Sequence, residues 1–290
     1  MYYSPILFSK IANINLHQYQ DDSENINIDI INSNKQIIIY SLHYVKYLYK
    51  INNFIDKINK PFIIISAMED TQLPLEIDSS FIDNLKKNIF FKHWFSINKT
   101  IPNDEYFTSI PYGLNYWTLT TIPSFGENIQ GFHEQNMVLE SIANNVSHFS
   151  QRIPKIYANF HHNFTDDRYG GSRRALLNII PSDIIFYEPT KITRSDTYKQ
   201  TCKFSFVLSP FGHGFDCIRT FEALCLRCIV IMKKSFLDII YEDLPILLVD
   251  EWTDVTQKLL EDTLVEFSKK EFNYNKLKMD YWINVINSKW

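Results

Sequence analysis

The run Leu208-Ser-Pro-Phe-Gly-His-Gly-Phe-Asp-Cys-Ile-Arg-Thr-Phe-Glu-Ala-Leu224 concentrates residue types suited to gripping a phosphate ester. Lys203 to Leu208 reads as a buried strand, the loop after Ser209 and Pro210 carries Gly212, His213 and Gly214, and a helix opens near Asp216. The chain has only seven glycines. Two at alternate positions therefore mark a local need for close backbone approach or positive φ. A loop running into a helix N-terminus offers free N–H groups and partial positive charge to an anion, with pyrophosphate the natural guest. Arg219 and Glu222 share a helix face. Arg219 suits bidentate contact with a diphosphate. Ionised Glu222 only accepts hydrogen bonds and so can hold the hydroxyls of a ribose. The competing reading is an Arg–Glu surface pair on an ordinary crossover helix.

Further charged groups lie outside this run. Lys191, Arg194, Arg173 and Arg174 form a basic cluster able to bind one nucleotide. In the stretch Tyr157 to Arg174, Arg173 or Arg174 can reach phosphates and Ser172 can cap a helix; a solvated basic helix start is the alternative. His161 and His162 lack an acidic partner at metal-ligand spacing and read as loop residues. Glu69 and Asp70 follow an apolar strand and are the candidate bases for deprotonating a hydroxyl, with a cap or turn role as the alternative.

Bulk properties narrow the classes. The 290 residues are 45% hydrophobic, 21% charged and 15% aromatic, as a globular chain with one large or two compact domains would be. The net charge of −4 argues against a protein that coats nucleic acid. No stretch approaches the roughly 18 apolar residues that cross a bilayer, and Met1 to Lys10 lacks a secretory pattern. Cys202, Cys217, Cys225 and Cys228 have apolar neighbours and no second close pair. Reduced, buried thiols in a cytoplasmic protein are expected rather than a zinc site.

The elements that must position these residues alternate. Gln36 to Tyr40, Pro61 to Ser66 and Ile89 to Phe95 read as strands, with helices at Tyr44 to Ile58 and Phe81 to Lys87 and a turn at Ser109 to Asn115. After a connecting helix near Met137 to Val146, strands recur at Lys155 to Phe160, Ile184 to Tyr187, Lys203 to Leu208, Cys228 to Met232 and Ile246 to Val249. Helices fall at Ser172 to Asn178 and Phe215 to Leu226. Short apolar strands separated by helices imply parallel sheets buried on both faces. The expected fold is α/β, with two Rossmann-like domains facing a cleft, residues 1–151 and 152–271. An amphipathic helix in 272–290 returns to the N-terminal domain.

The Leu208–Leu224 run resembles the donor-binding signature of exostosin-like glycosyltransferases of the GT-B type: a Ser-Pro-x-Gly-x-Gly-x-Asp loop, then x-x-Arg-x-x-Glu-Ala-Leu and a strand like Cys228-Ile-Val-Ile231. Lys92-His-Trp-Phe-Ser-Ile-Asn98 and Ile110-Pro-Tyr-Gly-Leu-Asn115 look like two further elements of that group. Ile63-Ile-Ile-Ser-Ala-Met-Glu-Asp70 is a weaker third. The matches run in the family's order from about residue 60 to 255. Two positions depart from the pattern: Ile218 stands where His is common, and Arg227 where Gly is usual before the strand.

The resemblance implies a GT-B glycosyltransferase that passes a sugar from a nucleotide-sugar, such as a UDP- or GDP-sugar, to a glycan or to a protein or lipid hydroxyl. It implies no metal or other cofactor, while the charge and the lack of a long apolar stretch give the expectation of no nucleic-acid partner and no membrane span. It puts Ser209, Pro210, Gly212, His213, Gly214, Asp216, Arg219 and Glu222 at the donor, joined by Arg173. The alternative is a protein of the same build that binds nucleotide or glycan without turnover. On the sequence alone, Arg219→Ala and Glu222→Ala are both expected to abolish transfer and leave the melting temperature nearly unchanged.

Overall fold

The computed structural model describes residues 1–16, 26–42, 48–67, 72–161 and 173–290. The chain divides into two compact units. One comprises Tyr3–Tyr112 with Met279–Trp290, and the other Met1–Tyr2 with Gly113–Lys278. The fold is α/β, and each unit is built on a five-stranded, wholly parallel sheet.

In the first unit the strands are β1 (Ile14–Asn15), β2 (Ile37–Leu42), β3 (Phe62–Ala67), β4 (Phe91–Ser96) and β5 (Phe107–Ser109), and they lie in chain order. Every residue of β3 is buried, which is why Phe-Ile-Ile-Ile reads as an unbroken apolar run rather than an alternation. Ile37, Ile39, Phe62, Ile64, Trp94 and Phe107 share one core cluster. The register continues that face into a row of buried serines, Ser41, Ser66, Ser96 and Ser109, at the carboxyl ends of four neighbouring strands. The Trp94 indole N–H donates to Ser66 Oγ at 2.9 Å. The helix Ser79–Lys87 starts on Asp78, whose carboxylate accepts the Ser80 N–H. The C-terminal helix Met279–Asn287 groups with this unit, and Trp282 packs against Tyr3 at 5.7 Å.

The expected helix at Tyr44–Ile58 does not form over its described part. Tyr49–Asn53 and Ile55–Lys57 are separate 3-10 turns. Asn52 and Asn53 favour turns over helix interiors, and packing of Ile51, Phe54, Ile55 and Ile58 into the core overrides the helical spacing. Residues 43–47 lie outside the described segments.

In the second unit the strands are β6 (Ile153–Ala158), β7 (Ile185–Tyr187), β8 (Phe204–Leu208), β9 (Ile229–Lys233) and β10 (Ile246–Val249). Their order is β10-β9-β8-β6-β7, so the winding reverses between β6 and β8. In an open α/β sheet that reversal opens a crevice at the carboxyl ends of the two strands. Ile156, Ala158, Phe206, Leu208, Ile229 and Ile231 join Leu176 and Leu260 in one core cluster. The segment 113–151, expected with the N-terminal domain, groups with this second unit.

Among the described residues no helix is long and apolar enough to cross a membrane. The helices that the sequence reading did not assign include Arg194–Thr201 and Gln257–Phe267. The first lacks an apolar stripe. Its signature is a capping pair: Thr193 Oγ1 accepts the Asp196 N–H at 3.1 Å and donates to Asp196 Oδ2 at 2.9 Å.

Arg227, where the resembling family carries Gly, has φ +61°. It ends the helix Ile218–Cys225 in a Schellman turn, with the Cys228 N–H on the Ala223 carbonyl and the Arg227 N–H on that of Leu224, both at 3.0 Å. The strained position is offset by the guanidinium, which stacks 3.7 Å from the centroid of the Tyr274 ring. Arg227→Ala loses the stack and keeps the strain, whereas Arg227→Gly loses the stack and relieves it. The Ala variant is therefore expected to be less stable than the Gly variant by about 1 kcal/mol in denaturant titration; equal stabilities would show that the turn carries no such strain.

His93 is fully buried in β4. Its Nδ1–H donates to the Glu105 carbonyl at 2.9 Å, which leaves Nε2 to accept from the Thr108 hydroxyl at 2.8 Å. Burial, and then the Lys289 charge, push its pKa down from 6.5 to about 4. Between those values the unfolded chain holds the proton and the folded chain does not, so His93 lowers stability as pH falls from 6.5 to about 4 and adds no further loss below. The expected loss is up to about 3 kcal/mol. Unfolding of His93→Gln at pH 7 and pH 4.5 checks this: its pH dependence should be visibly flatter than that of the parent chain.

Candidate functional site

The reversal between β6 and β8 holds a cavity of about 540 Å³. Residues 157–161 leaving β6, residues 188–192 following β7, and the facing sides of the helices Arg194–Thr201 and Ile218–Cys225 line it. Tyr157 and Val207, of opposite parity to Ile156 and Phe206 in the core, reach it from the sheet. Both Arg219 and Glu222 line this cavity. The helix Ile218–Cys225 buries Phe221, Leu224 and Cys225, and this fixes which way the other two residues project.

Arg194 fixes the floor. Its Nε and Nη2 donate to Glu222 Oε1 at 3.0 and 2.8 Å, and its Nη1 donates to the Asn115 carbonyl at 3.0 Å and Gln135 Oε1 at 3.2 Å. The Tyr198 hydroxyl adds a third donor to Glu222 Oε1 at 2.8 Å. Among the described residues no donor meets Glu222 Oε2. Glu222 lines the cavity with one oxygen unengaged among the described residues, and its ion-pair partner is Arg194. The Arg219–Glu222 surface pair of the competing reading is not made among the described residues. Arg194, read from the sequence only as one of a basic cluster, is the buried structural cation.

Arg219 forms no ion pair among the described residues. Its guanidinium lies 5.4 Å from the Phe160 ring centroid and makes long contacts to the Asn159 carbonyl (3.4 Å) and Cys217 Sγ (3.6 Å). Arg173 approaches the same ring at 5.9 Å and donates through Nε to the Phe211 carbonyl at 2.9 Å. Burial, and then the Arg219 charge, push Arg173 down to about 10, so Arg173 remains a cation at neutral pH. Two guanidiniums converging on one phenylalanine ring form a cationic locus suited to a diphosphate.

The loop itself is arranged differently from the sequence reading. A Cβ at Gly212 would meet Arg173 Nη2 at 3.1 Å, so the close approach it permits is to this side chain. The Gly212 N–H bonds the Gly214 carbonyl at 3.1 Å, while His213 is exposed. Ser209 and Pro210 are buried, and the Ser209 hydroxyl is engaged with Thr220 Oγ1 at 2.8 Å and Cys217 Sγ at 3.0 Å. Asp216 is also buried and takes the Cys217 N–H at 2.7 Å, putting a carboxylate at the helix N-terminus. Of the residues assigned to a donor, Arg219 and Glu222 line the cavity and Arg173 adjoins it through Phe160. Ser209 to Asp216 support the loop beside it.

Glu69, Asp70, His162 and Ser172 lie outside the described residues. The first-half motifs are structural: Trp94 and Phe95 are core, and Asn115 holds Arg194. Tyr157, Asn159 and Glu188 also line the cavity. Tyr157 and Asn159 stood inside a stretch read only for its basic end, and Glu188 carried no local signal beyond following a strand. Among the described residues no group of three or more His, Cys, Asp or Glu side chains comes together at metal-binding distance. The four cysteines are free thiols.

No family model matches the chain, and no curated protein matches it. Among solved structures it is similar to a sucrose-phosphate synthase from Thermosynechococcus elongatus, with TM-score 0.41, 10% identity, and 87% of this chain and 74% of the other covered. It is also similar to OtsA in apo form, with TM-score 0.41, 8% identity and 90% and 76% covered. A trehalose-6-phosphate structure from E. coli bound with UDP-2-fluoro glucose aligns at TM-score 0.38 and 8% identity, with 91% and 72% covered. Scores and identities of this size assign neither an activity nor a ligand.

The geometry revises the expected mutants. Glu222→Ala strands the buried Arg194 charge and should cost roughly 3 kcal/mol, whereas Arg219→Ala should change stability by no more than about 0.5 kcal/mol. Melting curves of the two variants check this, and equal losses would show Arg219 to be structural as well.

Proposed function

We propose that this chain is an exostosin-like glycosyltransferase of the GT-B type that uses a nucleotide-sugar donor. The observation that carries the reading is the meeting of Arg219 and Glu222, the two charged residues of the motif's helix, in one cavity at the sheet's reversal point. The unpaired acceptor Glu222 Oε2 suits a ribose hydroxyl, and Arg219 with Arg173 suits the diphosphate.

In the proposed reaction the acceptor hydroxyl oxygen bonds to the anomeric carbon as the bond from that carbon to the diphosphate breaks. The electron pair leaves with the nucleoside diphosphate, and the acceptor proton passes to a base or to solvent. Negative charge grows on the leaving phosphate. Fixed guanidiniums in a partly dry cavity stabilise that charge without reorganising, and on this reading no metal is needed for that step. Glu69 and Asp70 remain the proposed bases if the reaction inverts configuration. The acceptor is a glycan or another hydroxyl compound.

The test is a thermal-shift series with UDP, GDP and CMP and their sugar conjugates, with chelator and then with Mg²⁺ or Mn²⁺, followed by product analysis. A nucleotide at about 100 times its Kd stabilises the fold by roughly 2.7 kcal/mol, a shift of several degrees. A shift with chelator present that is lost in Arg219→Ala is expected, together with sugar transfer or slow donor hydrolysis. Binding without either reaction would favour the non-catalytic alternative, and no shift with any nucleotide would overturn the reading.

A further inference from the structure

The cavity contains a second carboxylate whose presence the diphosphate reading does not explain. Glu188 stands directly after β7, its N–H tied to the Ala158 carbonyl at 3.0 Å, and its side chain lines the cavity. The Tyr157 hydroxyl donates to Glu188 Oε2 at 3.0 Å. Tyr157 is buried and packs in one cluster with Phe186 and Phe204, whose ring centroids lie 6.2 and 5.4 Å away, so the donor that orients Glu188 is held in place. Burial first, and then Glu188 itself, hold the Tyr157 hydroxyl well above its ordinary range, so it stays protonated and donating. Among the described residues no Lys, Arg or His pairs with Glu188, and no donor meets Oε1. A carboxylate oriented in a cavity meant for an anion repels that anion unless it has its own task. Acceptor-only, it can serve a ligand group made of N–H donors.

We infer that Glu188 reads the base of the bound nucleotide and selects guanine, so that the donor is a guanosine diphosphate sugar; this rests on the nucleotide-sugar reading of the same cavity. Guanine presents two adjacent donors, N1–H and the exocyclic N2–H, which a single carboxylate can accept together. Uracil presents one N–H flanked by two carbonyl oxygens whose lone pairs face the carboxylate. Adenine and cytosine each place one amino donor beside a ring nitrogen that only accepts. Ribose hydroxyls at Glu222 and phosphates at Arg219 are common to every nucleotide, and neither residue distinguishes the bases. Of the two carboxylates that line the cavity, Glu188 is the one whose chemistry does on this reading.

Calorimetric titration of the full chain with GDP, UDP, ADP and CDP tests this. GDP is expected to bind about 10- to 100-fold tighter than UDP, the range of a charged hydrogen bond gained or lost. Glu188→Gln should cost GDP at least tenfold and leave UDP unchanged or improved, because the amide can donate to a uracil carbonyl. Tyr157→Phe keeps the ring stack and removes the orienting donor. It should weaken GDP several-fold without affecting UDP, and it decides the question if Glu188→Gln does not fold. UDP binding as tightly as GDP, or equal losses for both nucleotides in the variants, would overturn the base assignment while leaving the nucleotide site intact. Absence of binding by all four would overturn the site as well.

Discussion

The second unit is organised around the charge of Arg194. A guanidinium this buried is tolerated only if its donors are met, because a desolvated and unpaired charge costs several kcal/mol. Here they are met from three separate parts of the chain: Glu222 on the helix after β8, the Asn115 carbonyl just after Gly113, and Gln135 on the helix Phe132–Asn144. Satisfying one cation therefore draws the segment 113–151 into the same compact unit as the β6–β10 sheet. The rings of Phe125 and Tyr198 cover the guanidinium at 5.3 and 5.6 Å and complete its apolar surround.

The same constraint sets the chemistry of the cavity. Three donors on one oxygen of Glu222 hold its carboxylate in a single orientation and leave the other oxygen unengaged among the described residues. A preorganised acceptor binds a hydroxyl without losing side-chain entropy at that moment. The cationic end is built in the opposite way. Arg219 and Arg173 share the Phe160 ring and contact backbone carbonyls and sulfur, so both guanidiniums are oriented, and Arg219 meets no carboxylate among the described residues.

The loop before the helix Ile218–Cys225 shows how motif residues can serve a site without lining it. Ser209 ties strand to helix through Thr220, Asp216 occupies the helix N-terminus, and Gly212 lets Arg173 pass close to the backbone. Each is a short polar or small residue for a steric or capping reason. A sequence reading naturally turns such residues into ligand contacts, because the same chemistry that caps a helix also binds an anion.

Much of the fold was legible in the residues. Runs dominated by apolar residues, such as Phe62–Ala67 and Phe204–Leu208, pointed to strands of sheets covered on both faces, and every residue of both is buried. That Arg219 and Glu222 face away from the core was legible, because the apolar period of that helix dictates which side chains turn inward, and both line the cavity. What the sequence could not contain was pairing across long separations. That Glu222 meets Arg194 rather than Arg219, and that Tyr157 aims Glu188, depends on distances spanning 24 to 31 residues that no local pattern encodes. The helix Arg194–Thr201 lacks an apolar face, and tertiary contacts rather than periodicity make it a helix. Strand order is likewise a property of the assembled sheet. The reversal between β6 and β8, which opens the cavity, was decided only when the chain closed on its core.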